Sequence, residues 1–146
     1  MTPDGRYIYV NNDLSDLVYG FQVDANGMLS PIINPDTGNN ETDTPSDQAR
    51  EIAVTNEYLY IRIRGTSRIA MYRIEENGVL TPNPGSGTNT ISANTLGMNI
   101  APSGRFLYTT DADSSRVRRY EIDENGLLAN PANVTVNSPV EVFISP

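Results

Sequence analysis

No cysteine, no histidine and no lysine occur in this chain, and all ten basic residues are arginine. Each absence removes a class of chemistry. Without cysteine there are no disulfides and no thiolate metal sites, and cysteine usage gives no clue to redox compartment. Without histidine the usual general base, proton shuttle and commonest metal ligand are gone. Without lysine there is no Schiff-base nucleophile. No apolar stretch approaches 18 residues, so no membrane span is expected, and no charged n-region followed by an apolar h-region marks a secretory signal. The chain reads as soluble, in a compartment its sequence does not name. The acidic surplus, a net charge of −8, keeps a protein in solution and excludes nucleic acid and anionic membrane surfaces as natural partners. A ligand role for cations or basic partners is the other use of such a surface.

What is present is a phrase of about 48 residues, used three times. Gly5-Arg6-Tyr7-Ile8-Tyr9-Val10 returns as Asn56-Glu57-Tyr58-Leu59-Tyr60-Ile61 and as Gly104-Arg105-Phe106-Leu107-Tyr108-Thr109. Phe21–Leu29, Tyr72–Leu80 and Tyr120–Leu128 form a second set, each built around Asn-Gly. Both sets shift by 51 residues and then by 48. Units of this length with several short strands each are blades of a β-propeller. The expected fold is therefore all-β, with four-stranded antiparallel blades and repeats at about 3–53, 54–101 and 102–146.

The middle unit shows the strands most plainly: Arg50–Val54, Glu57–Ile63, Arg68–Glu75 and a ragged Val79–Pro82. Alternating apolar and aromatic residues mark the second strand as half-buried sheet. The Asn-Gly pairs supply the positive φ that a tight hairpin needs. Asp111-Ala112-Asp113 begins like a calcium loop, but Arg116 stands where its glycine belongs and Ile122 where its closing glutamate belongs. No cofactor or metal is called for. Asn34–Gln48 and Pro84–Leu96 are polar, without period, and read as long surface loops. They share a face with the turns Asn11–Asp16, Arg64–Ser67 and Asp111–Ser115, and loops held by rigid blades are where ligands gather. Asn40-Glu41-Thr42 and Asn133-Val134-Thr135 match the glycosylation sequon, a pattern common by chance.

The first unit opens on its second strand, and Val140–Pro146 matches a first strand, with Phe143-Ile144-Ser145-Pro146 standing where Asn99-Ile100-Ala101-Pro102 stands in the third unit. The strand order becomes bcd, abcd, abcd, a. Three blades span too little arc to close alone. The expected partner is a second copy: Val140, Val142 and Ile144 would add to the strand that carries Tyr7 and Tyr9, giving a six-bladed homodimer by strand exchange.

Thr2-Pro3-Asp4-Gly5-Arg6-Tyr7-Ile8-Tyr9-Val10-Asn11-Asn12, Ile100-Ala101-Pro102-Ser103-Gly104-Arg105-Phe106-Leu107-Tyr108 and the Asp/Glu-Asn-Gly-x-Leu turns resemble the lactonase-type seven-bladed propellers. That family includes bacterial 6-phosphogluconolactonases and fungal muconate cycloisomerases. The resemblance implies a propeller blade throughout and lactone hydrolysis as an activity, with a His, a Glu and an Arg near the central channel. This chain supplies no His, and three blades where the family has seven.

Opening a lactone needs a base or an activated water, and a cation for the developing oxyanion. Glu51, Glu141 and Arg50 lie on or beside first strands, which line a propeller's channel, and are the catalytic candidates. The other reading of these residues is a solvated channel wall. Arg62/Arg64 and Arg116/Arg118 have the period-two spacing that places a pair on one sheet face. They form a candidate clamp for a small anionic or sugar-like ligand, or else they pair with acidic residues of neighbouring blades. As an isolated chain the protein reads first as a scaffold or binding module. The alternative is a lactonase acting on a sugar lactone, and the third reading is an assembly fragment that only oligomerises.

Overall fold

A computed structural model describes residues 1–12, 15–44, 48–84, 91 and 95–142. They form three antiparallel sheets, and no helix occurs among them. Blade 1 contains β1 (Tyr7–Asn12), β2 (Leu17–Val23), β3 (Leu29–Pro31) and β4 (Glu41–Asp43). Blade 2 is β5 (Ala49–Val54), β6 (Tyr58–Ile63), β7 (Arg68–Ile74) and β8 (Leu80–Pro82), hydrogen-bonded in chain order. Blade 3 is β9 (Thr95–Ile100), β10 (Phe106–Asp111), β11 (Arg116–Ile122) and β12 (Leu128–Thr135), also in order. The strand limits foreseen for the middle unit agree to within one residue at each end.

Blade 1 differs in two ways. Its inner edge is β1, a second strand by the pattern of the other blades. Its outer strand is split: β3 pairs with Phe21–Val23 and β4 with Leu17–Tyr19, at opposite ends of β2. The segment expected to be wholly a loop, Asn34–Gln48, therefore contains a strand. Between the two pieces Ile32 turns inward, its amide donating to the Gly20 carbonyl at 2.9 Å. Gly20 has no side chain to block it: a Cβ there would lie 3.1 Å from the Ile32 methyl.

The central registers superpose the three repeats. Tyr7↔Gln22, Tyr58↔Arg73 and Phe106↔Glu121 open the same ladder in each blade. Burial follows from position in the arc. β6 is buried at every residue after Tyr58, because blade 2 has a neighbour on both faces. β1 alternates buried and more open residues, as a strand covered on one face should. Two apolar layers result. One joins blades 1 and 2 through Tyr7, Tyr9, Val18, Leu59, Ile61 and Tyr72; the other joins blades 2 and 3 through Tyr60, Ile69, Met71, Leu107, Tyr120 and Leu128.

The layers are bolted by tyrosines. Tyr7 and Tyr9 donate their hydroxyls to the carbonyls of Glu76 (2.6 Å) and Gly78 (2.7 Å) in the next blade's Asn-Gly turn. Tyr58 and Tyr60 do the same to Glu124 (3.2 Å) and Gly126 (2.9 Å). These four tyrosines thus pack between blades, each hydroxyl answering a carbonyl of the facing turn. Tyr7 and Tyr9, expected at an interface with another copy, sit at 4% and 8% exposure inside the chain's own first interface. The open face of blade 1 is carried by their strand neighbours Ile8 and Val10.

Burial raises the tyrosine pKa of Tyr9, Tyr60 and Tyr120, and pushes Tyr72 up to about 12. A phenol is neutral when protonated, so these folded-state values above the ordinary ~10 mean that the native state holds protons the unfolded chain releases. Their contribution is complete below pH ~10 and is lost as pH rises beyond it. With no lysine or cysteine in the chain, tyrosine dominates the alkaline titration. Absorbance near 295 nm should show exposed tyrosines ionising first, then a second step coincident with loss of β-sheet circular dichroism. A single step with the fold intact would contradict the assignment.

Candidate functional site

The strands β5 and β9 form the inner edges of their blades, and β5 packs between β1 and β9. Each carries an irregularity at the same place. In blade 2 the pairing steps from Ala49↔Ile63 to Ile52↔Ile61, so Arg50 and Glu51 together oppose Arg62 alone. In blade 3 it steps from Thr95↔Asp111 to Met98↔Thr109, so Leu96 and Gly97 oppose Thr110. Such bulges re-aim side chains and recur beside functional sites.

At the first bulge Glu51 meets Arg62, Oε2 to Nη1 at 3.0 Å. The guanidinium side chain is only 3% exposed, whereas the carboxylate side chain is 28% exposed. Arg62 is thus a buried brace, and Glu51 is the end of the pair that solvent reaches. Blade 1 fixes the bulge from the other side: the Asn11 amide donates to the carbonyls of Ala49 (2.9 Å) and Arg50 (2.5 Å). Arg50 is exposed beside Glu51, and Arg64, also exposed, reaches the Gln48 side chain at 3.3 Å. Two cations therefore stand at the same end of the blade as the carboxylate.

The second bulge is used differently. Gly97 replaces the carboxylate, and its amide donates to the Thr110 hydroxyl at 2.7 Å. That hydroxyl donates in turn to the Val140 carbonyl at 3.1 Å. A Cβ on Gly97 would fall 2.9 Å from the Glu141 Cα. The missing side chain is what lets the C-terminal segment lie against β9. Asn11, Arg62 and Thr110 are one position in three blades, and each anchors the bulge facing it or the strand beyond.

Of the proposed catalytic residues, Glu51 and Arg50 are adjacent on the first bulge, while Glu141 is exposed in the segment seated on the second. Val140 and Val142 lie in that segment; residues 143–146, including Ile144, fall outside the described residues. The arginine clamp divides. Arg62 braces Glu51 and Arg64 stays exposed. Arg116 pairs with the buried Asp111 at 3.0 Å. Arg118 bonds Asn133 (3.2 Å) and Tyr120 (3.0 Å). These partners lie in the same blade as their arginines, not in neighbouring ones, because paired strands are closer than packed sheets. Asn11, Gly97 and Thr110 were not singled out in the sequence; only pairing register reveals them.

A concavity of about 770 Å³ lies at the opposite end of the strands. The turns Thr55–Glu57 and Ala101–Arg105 line it, and neither Glu51 nor Arg62 does. The braced carboxylate and this concavity therefore lie at opposite ends of the blades. Among the described residues no three carboxylates gather as a metal site, and no helix is long and apolar enough to cross a membrane.

The family model for the seven-bladed β-propeller lactonases matches residues 1–144. No curated protein matches significantly. Among solved structures, a candidate 6-phosphogluconolactonase from Bacteroides fragilis superposes with a TM-score of 0.72 at 24% identity, over 97% of this chain and 39% of its own. One from Bacteroides uniformis gives 0.71 at 27%, over 96% and 40%. The periplasmic gluconolactonase of Pseudomonas aeruginosa gives 0.71 at 21%, over 95% and 39%. The chain spans about two fifths of the length of each of these proteins.

Proposed function

Since the chain belongs to the seven-bladed lactonase propeller family, we propose that it supplies three blades of a ring that hydrolyses a sugar lactone of the 6-phosphogluconolactonase type. The observation that carries this is Glu51, held at a strand bulge by the buried Arg62. Glu51 accepts a proton from a water that attacks the lactone carbonyl, and Arg50 or Arg64 faces the oxyanion that develops. Collapse of the tetrahedral adduct breaks the ring C–O bond. The proton held by Glu51 passes to the leaving alkoxide, giving the hydroxy acid. A carboxylate thereby fills the role of base in a chain without histidine. Arg62 is a positioning residue, since its guanidinium is spent on Glu51.

A non-catalytic binding module is the second reading, supported by the lack of histidine. One assay separates them. Acid release from 6-phosphogluconolactone should exceed the buffer rate, and Glu51→Gln, which keeps an oxygen for Arg62, should lose roughly 10²–10⁴-fold with the fold unchanged. A wild-type rate no faster than buffer, or an undiminished variant, would overturn the lactonase reading.

A further inference from the structure

The two end blades expose complementary halves of the interface that the chain already uses twice. In blade 2, the face turned to blade 1 is built from Leu59, Ile61, Tyr72, Ile74 and Leu80, all buried. The same register positions in blade 1 are Ile8, Val10, Phe21, Val23 and Leu29. This set is equally apolar, yet Val10 and Leu29 are each 49% exposed. Among the described residues every exposed large hydrophobic lies between Met1 and Ile33 or between Leu96 and Val140, and none in blade 2. Patches of this kind mark contact surfaces.

The polar part matches too. The turn Asp24–Gly27 repeats the acceptor turns of blades 2 and 3: its Gly amide bonds the Asp24 carbonyl at 3.0 Å, and Gly27 has φ 80° against 83° for Gly78 and 74° for Gly126. Tyr7 and Tyr58 lie against Gly78 and Gly126, whereas nothing lies within 4 Å of a Cβ built on Gly27. At the other end of the arc Phe106 and Tyr108 hold the places of Tyr58 and Tyr60. The Tyr108 hydroxyl has no hydrogen-bond partner among the described residues. Arg119 stands in place of Met71 on this face, already paired with Glu121 at 3.1 Å and stacked on Phe106 at 5.0 Å.

We propose that blade 3 of one chain docks on blade 1 of a second copy, Phe106 covering Gly27 and the Tyr108 hydroxyl donating to the Gly27 carbonyl. Each contact is heterologous, and a two-fold axis makes two of them, closing six blades, within the usual four to eight. The proposal does not depend on lactone chemistry.

The absence of native cysteine makes a clean test possible. Ala25 and Arg105 are the counterparts of Glu76 and Arg6, which flank the internal Tyr7–Glu76 contact. The double variant Ala25→Cys/Arg105→Cys, treated with a short bismaleimide, should run as a covalent dimer on a denaturing gel, and each single variant as a monomer. Tyr108→Phe, which keeps the ring, should weaken dimerisation roughly 25-fold, about fivefold for each of two hydrogen bonds. A double variant that stays monomeric, a single variant that cross-links alone, or a Tyr108→Phe dimer as tight as wild type would each overturn the proposal.

Discussion

Leu59→Ala and Leu107→Ala should each cost about 2–5 kcal/mol of stability, while Ile8→Ala costs about 1 kcal/mol or less in the single chain. The three residues hold one position, pairing with Tyr72, Tyr120 and Phe21 respectively. Leu59 and Leu107 are fully buried, each inside one interblade layer, so truncation leaves a cavity with packed walls. Ile8 faces the open side of blade 1 and is only partly buried. Because a domain of this size is stable by only about 5–15 kcal/mol, either leucine change removes a large share of the total. In thermal unfolding that is roughly 10 °C, at 2–4 °C per kcal/mol. Equal losses at all three positions in dilute monomer would mean that the interblade layers are not the main source of stability.

Gly126→Ala is the second large effect. Gly126 has φ 74°, where an added side chain costs about 1–2 kcal/mol on conformation alone. Its Cβ would also fall within the Tyr58 ring, which cannot withdraw without releasing the hydroxyl from the Glu124 carbonyl. Overpacking adds about 1–3 kcal/mol, for a total near 2–5. Gly27→Ala carries the same conformational term and meets nothing within 4 Å, so it should cost the single chain only about 1–2 kcal/mol. Chemical denaturation of the two variants at low concentration measures the difference. At concentrations where two copies associate, Gly27→Ala should also weaken the dimer, because its Cβ then meets Phe106 of the second copy.

The blades were legible because their signals are local. Alternation in Tyr58–Ile63 and the Asn-Gly hairpins are set by residues within a few positions of each other, and repetition turned three weak signals into one strong one. The strand β4 was not legible: Glu41-Thr42-Asp43 is short and polar, and forms only because half of β2 has an unfilled edge. The site was half legible. Glu51 stood out as a charged residue on a first strand and Arg62 by its spacing from Arg64 on a second strand, but their meeting depends on a register shift between the two strands that no periodicity records. The arginine pairs misled for a related reason. Spacing assigns a face but not a partner, and Arg116 and Arg118 found theirs on adjacent strands of their own sheet. The tyrosine hydroxyls bond turns 66 or 69 residues away, a link that appears only once the blades are stacked.

Sedimentation of the intact wild-type chain across the micromolar range tests the ring most directly. Closure of two three-bladed arcs predicts a single species at twice the monomer mass, compact, and dissociating on dilution sooner in Tyr108→Phe than in wild type. A folded chain that sediments at the monomer mass up to tens of micromolar would contradict it.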